Sequence, residues 1–197
     1  MPDIVEQIYA YHPENEQEEK DRELILRFLM QNSDAFERSN PVAHMTASAW
    51  VLNPAQNLVL MVYHKIYNSW SWVGGHADGD RDLLAVAIRE CQEETGILNV
   101  RPLSKDILSI ESLTVDGHEK RGNYVSSHLH LNVTYLLEAD DKEALHIKED
   151  ENSGVARFTP DDALKASSEP WFVERIYKKL NRKCFNGPFW EKGTQHV

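Results

Sequence analysis

Gly74-Gly75-His76-Ala77-Asp78-Gly79-Asp80 leads, through Arg81 and an apolar run, into Arg89-Glu90-Cys91-Gln92-Glu93-Glu94-Thr95-Gly96-Ile97. Glycine, aspartate and the lack of a long apolar run predict a loop over residues 74–80. From Asp82 through Thr95 the period changes. Leu84, Ala87, Ile88 and Cys91 recur at helical spacing, while Glu90, Glu93 and Glu94 fall mainly on another side. Gly96 is placed to cap the helix. An acidic loop therefore feeds a short amphipathic helix with one buried and one carboxylate-bearing side.

Working outward, HMTASAWVLN (44–53) and NLVLMVYHK (57–65) read as strands joined by a turn at Asn53-Pro54-Ala55-Gln56-Asn57, making an antiparallel hairpin. Ser69 to Val73 is a further extended piece. Beyond the helix, strands are expected at 99–103, 107–115, 128–137 and 155–158, with a polar separator at 116–127. Short helices are expected at 160–166 and 171–180, the second turning Phe172, Val173, Ile176 and Leu180 to one side. Residues 16–33 form another amphipathic helix, with Leu24, Ile25, Phe28 and Leu29 on one side and an acidic first turn. That helix covers the main fold or forms a subunit interface, so a homodimer stays open. Pro41 marks the passage into extended chain. The fold class is α+β: a mixed β-sheet sandwiched by helices, with an additional N-terminal helix. The expected organisation is an N-terminal helical extension (1–40), a main domain (41–183) and a C-terminal tail (184–197).

Composition limits the function. The 197 residues hold 41% hydrophobic and 27% charged side chains, with five Trp, seven Tyr and six Phe, enough apolar surface for one substantial core. Lys and Arg number 21 against 32 Asp and Glu, a formal charge of −11. That field opposes adhesion to a nucleic acid polymer or an anionic membrane. A small phosphorylated metabolite remains compatible, because a bound cation reverses the local sign. Cys91 and Cys184 do not make a disulfide framework, and Cys91 lies on the apolar side of its helix. The N-terminal sequence lacks the basic start and apolar core of a secretory leader, and no apolar run approaches a bilayer span. The expected location is cytoplasmic.

Glu90, Glu93 and Glu94 stand at i, i+3 and i+4, where side chains converge from neighbouring turns. Three adjacent carboxylates repel one another unless a cation joins them. Their oxygen donors suit Mg2+ or Mn2+, with substrate phosphate oxygens completing the shell. A plainer alternative is a solvated acidic helix with an Arg89–Glu93 pair.

At these residues the chain resembles the Nudix hydrolase family. Arg89 through Ile97 follows the closing REUxEExGU pattern of the Nudix box, with Cys91 at the first aliphatic position. The resemblance runs from Gly75 to Ile97 in detail and, through the flanking sheet, across much of residues 42–180. It implies a metal-dependent hydrolase acting on a nucleoside diphosphate or another organic diphosphate linked to a further moiety. It also implies Glu90, Glu93 and Glu94 as metal ligands and Arg89 as the residue that orients them. The general base is Glu90, Glu149 or Glu151, since in this family the base often lies outside the box. One departure is Arg81, which stands where the Gly-x5-Glu start places glutamate; Asp78, Asp80 and Asp82 surround it. The alternatives are a noncatalytic nucleotide-binding regulatory module and a diphosphate isomerase. The second rests on a more distant resemblance to isopentenyl-diphosphate isomerase, in which His44 and Gly75-His76 fall near positions of metal-binding histidines. Where that isomerase carries a catalytic cysteine, this chain has Gly74.

Gly75, His44 and His76 are accordingly candidates for substrate or second-metal contact, beside the plainer reading of ordinary loop and strand-end hydrogen bonds for the histidines. His128 and His130, two apart in a strand, share one sheet face and permit a paired role. Trp50, Trp70 and Trp72 lie near the candidate face. Base stacking is open to them, but core packing is the favoured reading.

Overall fold

The computed structural model describes residues 3–120 and 122–185. Helices α1 (Ile4–Ala10) and α2 (Glu16–Gln31) come first. The side chain of Asn15 starts α2 by accepting from the Glu18 N–H at 3.0 Å, satisfying one of the open donors of the first turn. Ile4, Ile8 and Ile25 are buried in the main core, so both helices pack as part of it. The sequence reading expected the second helix and missed the first. Leu24, expected on the apolar side, is exposed. Glu18 turns inward, where its carboxylate meets Lys179 at 3.0 Å and Lys183 at 2.7 Å.

The sheet begins with β1 (Ala43–Leu52), β2 (Val59–His64), β3 (Ser69–Ser71) and β4 (Val73–His76). Helix α3 (Leu83–Thr95) follows, then β5 (Val100–Pro102), β6 (Ser109–Val115), the small hairpin β7 (His118–Lys120) and β8 (Asn123–Val125), β9 (His128–Ala139) and β10 (Asn152–Phe158). The main order is β10-β2-β1-β9-β5, with β3 on β2, β4 on β1 and β6 on β9. β1 and β9 run parallel from Ala43↔Leu129 to Leu52↔Glu138, while β1 and β2 form the expected antiparallel hairpin. The sheet is mixed, as the sequence indicated. The polar separator expected at 116–127 carries the β7–β8 hairpin.

β1 is buried along its whole length because both faces of the sheet are covered. Ala43, Met45, Ala47, Ala49 and Val51 enter the core beneath α3, whereas Trp50 and Leu52 enter a second core beneath the C-terminal helices. Those helices are α4 (Pro160–Ala166), α5 (Pro170–Phe172), a π-helical turn (Val173–Tyr177) and α6 (Lys178–Phe185). The helix expected at 171–180 is thus present and continuous, with a π-helical turn inside it, and Ile176 and Leu180 share the second core. α6 continues through buried Cys184 to Phe185; the rest of the expected tail, 186–197, lies outside the described residues.

One correction bears on the site. Gly74, Gly75 and His76 were expected to open the loop, but they complete β4, opposite Ser48, Ala47 and Thr46. The close strand approach explains it. A Cβ at Gly74 would lie 2.7 Å from the Ala47 carbonyl oxygen and 2.8 Å from Ser48 Cα. Only glycine fits there, and the connecting loop is confined to residues 77–82.

Candidate active site

Helix α3 is held at both ends. Asp82 accepts from the Ala85 N–H at 3.1 Å, and Gly96 closes the helix in the left-handed conformation at φ 74°, donating to Gln92. Leu83, Val86, Ala87 and Cys91 are buried against the sheet. This anchoring aims Glu90 and Glu94 at β4. Gly75 makes room for Glu90: a Cβ there would stand 2.3 Å from the carboxylate carbon. Glu94 is 2% exposed, and its carboxylate accepts from the Gly74 N–H at 3.0 Å. The two glycines serve different ends, one closing the strands and the other admitting a carboxylate.

Burial and mutual repulsion disfavour charge on these carboxylates. Burial pushes the Glu94 carboxyl up to about 8, with Glu90 and Glu151 adding repulsion against the Gly74 hydrogen bond. Burial likewise raises Glu90, and Glu93 and Glu151 reinforce the shift against the pull of Lys148. Lys148 already brings a cation to the rim, 3.2 Å from Glu93 and 3.0 Å from Glu151. Partial burial opposes its charge, yet the hydrogen bonds to Glu151 and Glu93 raise its pKa.

The structure therefore brings Glu90, Glu93, Glu94, Gly75 and Glu151 into one region. Glu149 enters its loop through the backbone carbonyl, which accepts from Lys65. Arg89 pairs with Asp80 at 3.2 Å rather than with Glu93, so it ties the loop to the helix. The aspartates around Arg81 are likewise engaged. Asp78 takes a bidentate pair from Arg38, Asp80 receives Arg89 and Asp82 caps α3. Arg81 places its guanidinium 4.5 Å from the centre of the Phe36 ring. The unusual arginine thus fastens the loop to the segment before β1.

A second constellation lies beside this one. Ligand atoms of His44, His76 and His130 come within 4.8 Å of one another, a three-histidine cluster able to hold a divalent cation. His44 keeps the ordinary hydrogen bond expected of it, from Nδ1 to the Asn40 carbonyl at 3.3 Å, and joins the cluster as well. Burial, reinforced by the crowding of the other imidazoles and Arg38, pushes His130 down to about 2, so its ring is neutral. Lys148 and Arg38 were not among the sequence-derived candidates, and His130 was noted there only for a paired role with His128. The alternating His128-Leu129-His130 pattern was the one visible signal.

The tryptophans take the packing role. Trp50 is fully buried and stacks on Tyr177 at 5.3 Å between ring centres; Trp72 meets the same ring edge-on, and Trp70 packs on Phe158.

Residues 42–180 match the NUDIX domain. No curated protein matches the chain in sequence. Among solved structures, the chain is similar to an Ap4A hydrolase binary complex from C. elegans, at 19% identity over 70% of this chain and 94% of that one, with a TM-score of 0.50. A NUDIX family hydrolase from Clostridium perfringens matches at 20% identity over 70% and 96%, also at 0.50. The E. coli dihydroneopterin triphosphate pyrophosphohydrolase matches at 14% identity over 73% and 96%, at 0.53. At these identities the likeness shows the fold. No helix among the described residues is long and apolar enough to cross a membrane. With the domain match spanning the sheet and the acidic helix seated on β4, the chain belongs to the NUDIX domain family and is a Nudix-type diphosphate hydrolase.

Proposed function

We propose that Glu90, Glu93 and Glu94 hold Mg2+ or Mn2+ against a nucleoside diphosphate or other organic diphosphate linked to a further moiety, and that water cleaves the diphosphate linkage. One observation carries this reading: the Glu90 carboxylate rests on the Gly75 backbone while Glu94 is buried behind it on the Gly74 N–H. The donors fit the ion, because three carboxylates offer the hard oxygen set that Mg2+ and Mn2+ take. When bound, the cation supplies charge stabilisation to the phosphate oxygens.

The chain's own groups do the rest. Glu94, fixed by Gly74, keeps the helix in register with β4. Glu90, its carboxyl raised by burial, is suited to take a proton from the attacking water. Glu151 is the alternative base, brought near through Lys148. Lys148, paired with Glu93 and Glu151, is the cation at the rim that would offset substrate phosphate charge.

Isomerisation lacks its acid–base group at position 74, and the strand contact there leaves no room for a side chain. The deciding experiment incubates the purified chain with a broad panel of organic diphosphates, with and without Mg2+. Metal-dependent product is expected, and Glu93→Gln and Glu94→Gln should each abolish most of it. Either no product across the panel or full activity in both variants refutes the reading.

A further inference from the structure

β4 separates two kinds of ligand. Successive residues of a strand point to opposite faces, and a side chain at Gly75 would meet Glu90. The next residue, His76, meets His44 and His130 instead, with ring centres at 5.1 and 4.8 Å. His44 and His130 are register partners across the parallel β1–β9 pair, and His76 sits opposite Thr46 on β1. Three strands thus contribute one imidazole each, on the side of β4 away from the carboxylates.

The hydrogen bonding of the rings points the same way. His44 is 4% exposed and gives Nδ1 to the Asn40 carbonyl, while its Nε2 is buried without a hydrogen-bond partner among the described residues. His128, on the rim, gives Nδ1 to the Ser126 carbonyl at 2.8 Å and points Nε2 at Nε2 of His130, 3.2 Å away. A backbone carbonyl on one ring nitrogen is the usual second partner of a metal-bound histidine, because it fixes the tautomer that leaves the other lone pair free. A buried lone pair with nothing to accept from is costly unless something fills the space.

We propose that His44, His76 and His130 form a separate site for a borderline transition-metal dication of the Zn2+ class, distinct from the oxygen-lined Mg2+ or Mn2+ site on α3. Imidazole nitrogen selects Zn2+, Fe2+, Co2+ or Ni2+ over Mg2+. The spacing of at most 4.8 Å closes to a shell of about 2.0–2.1 Å radius by modest side-chain rotation. Three protein ligands leave a fourth tetrahedral position for water, a phosphate oxygen or His128. His76, His128 and His130 are only partly buried, so an ion can enter from solvent.

The test uses the full chain, stripped with a chelator and titrated with Co2+ and then Zn2+ in excess Mg2+. One equivalent of Co2+ should bind with visible ligand-field absorption and be displaced by Zn2+. His76→Gln and His130→Gln should each weaken binding by more than about 100-fold, beyond the cost of losing a supporting partner. Glu93→Gln and Glu94→Gln should leave it unchanged. X-ray absorption of the Zn2+-loaded unsubstituted protein needs no variant and should show imidazole nitrogen scattering from three rings. Absence of stoichiometric binding, an oxygen-only shell, or binding lost in Glu93→Gln but kept in His130→Gln overturns the proposal. Mg2+-dependent hydrolysis is read separately, so the two sites stand or fall independently.

Discussion

Gly74 and Gly75 are neighbours with different failures. At Gly75 a methyl group would strike the far end of Glu90. Gly75→Ala should therefore leave the fold in place, as read by circular dichroism, while lowering metal-dependent hydrolysis by about 100-fold or more through displacement of the proposed base. At Gly74 the obstacle is the backbone of Ala47 and Ser48, which cannot swing aside. Gly74→Ala should lower the urea midpoint by an amount equivalent to about 1–3 kcal/mol, the usual cost of overpacking. Both glycines were visible in the chain, and Gly75 could be placed at the site from its motif. Their division of labour was not visible, because it depends on which backbone and which carboxylate arrive from elsewhere.

Among the elements, α2 and α6 bury a polar face by pairing its charges. Glu18, Lys179, Lys183 and Glu111 meet inside, with Lys179 at 3.0 Å from Glu18 and 3.1 Å from Glu111. Asn132 continues the chain from Glu111 to Thr46 and Ser48 on β1. The polar stripe thus runs from beneath the C-terminal helices toward the histidines. Removing one member strands its partners, since a buried charge without its counter-ion keeps the full desolvation penalty. Lys179→Met should destabilise the protein by about 3–5 kcal/mol in urea unfolding. The sequence reading placed Glu18 in an acidic first turn and Leu24 on the apolar side. Leu24 is exposed, while Glu18, two turns before Ile25 and on its face, turns inward to Lys179 and Lys183 of α6, more than 150 positions away.

Across the molecule, the same network sets an acid limit. Burial works against the charge on Glu18, but Lys179 and Lys183 overcome it and hold the carboxyl at about 2, below its ordinary 4.5. The unfolded chain takes up this proton first as pH falls, so the folded state loses stability there. The contribution is complete above about pH 4.5 and disappears as pH falls through about 2. Urea midpoints measured over that interval should drop, and Glu18→Gln should flatten the part of the slope due to this residue. The acidic helix, its C-cap glycine, the β1–β2 hairpin and the α+β class were legible in local sequence, because helical and strand periods, caps and turn residues act over a few positions. What lay beyond such reading required distant chain segments to meet. The parallel β1–β9 register brings His44 beside His130, β4 adds His76, and the 148–151 turn supplies Lys148 and Glu151 to the carboxylates. Arg89–Ile97 by itself pointed to the family and to the proposed carboxylate chemistry. Only tertiary structure decided that Arg89 holds a loop, that Gly74 and Gly75 belong to a strand, and that three separated histidines form one cluster. Spacing along the chain sets which residues share a face, but the neighbours on that face are chosen by sheet pairing and burial.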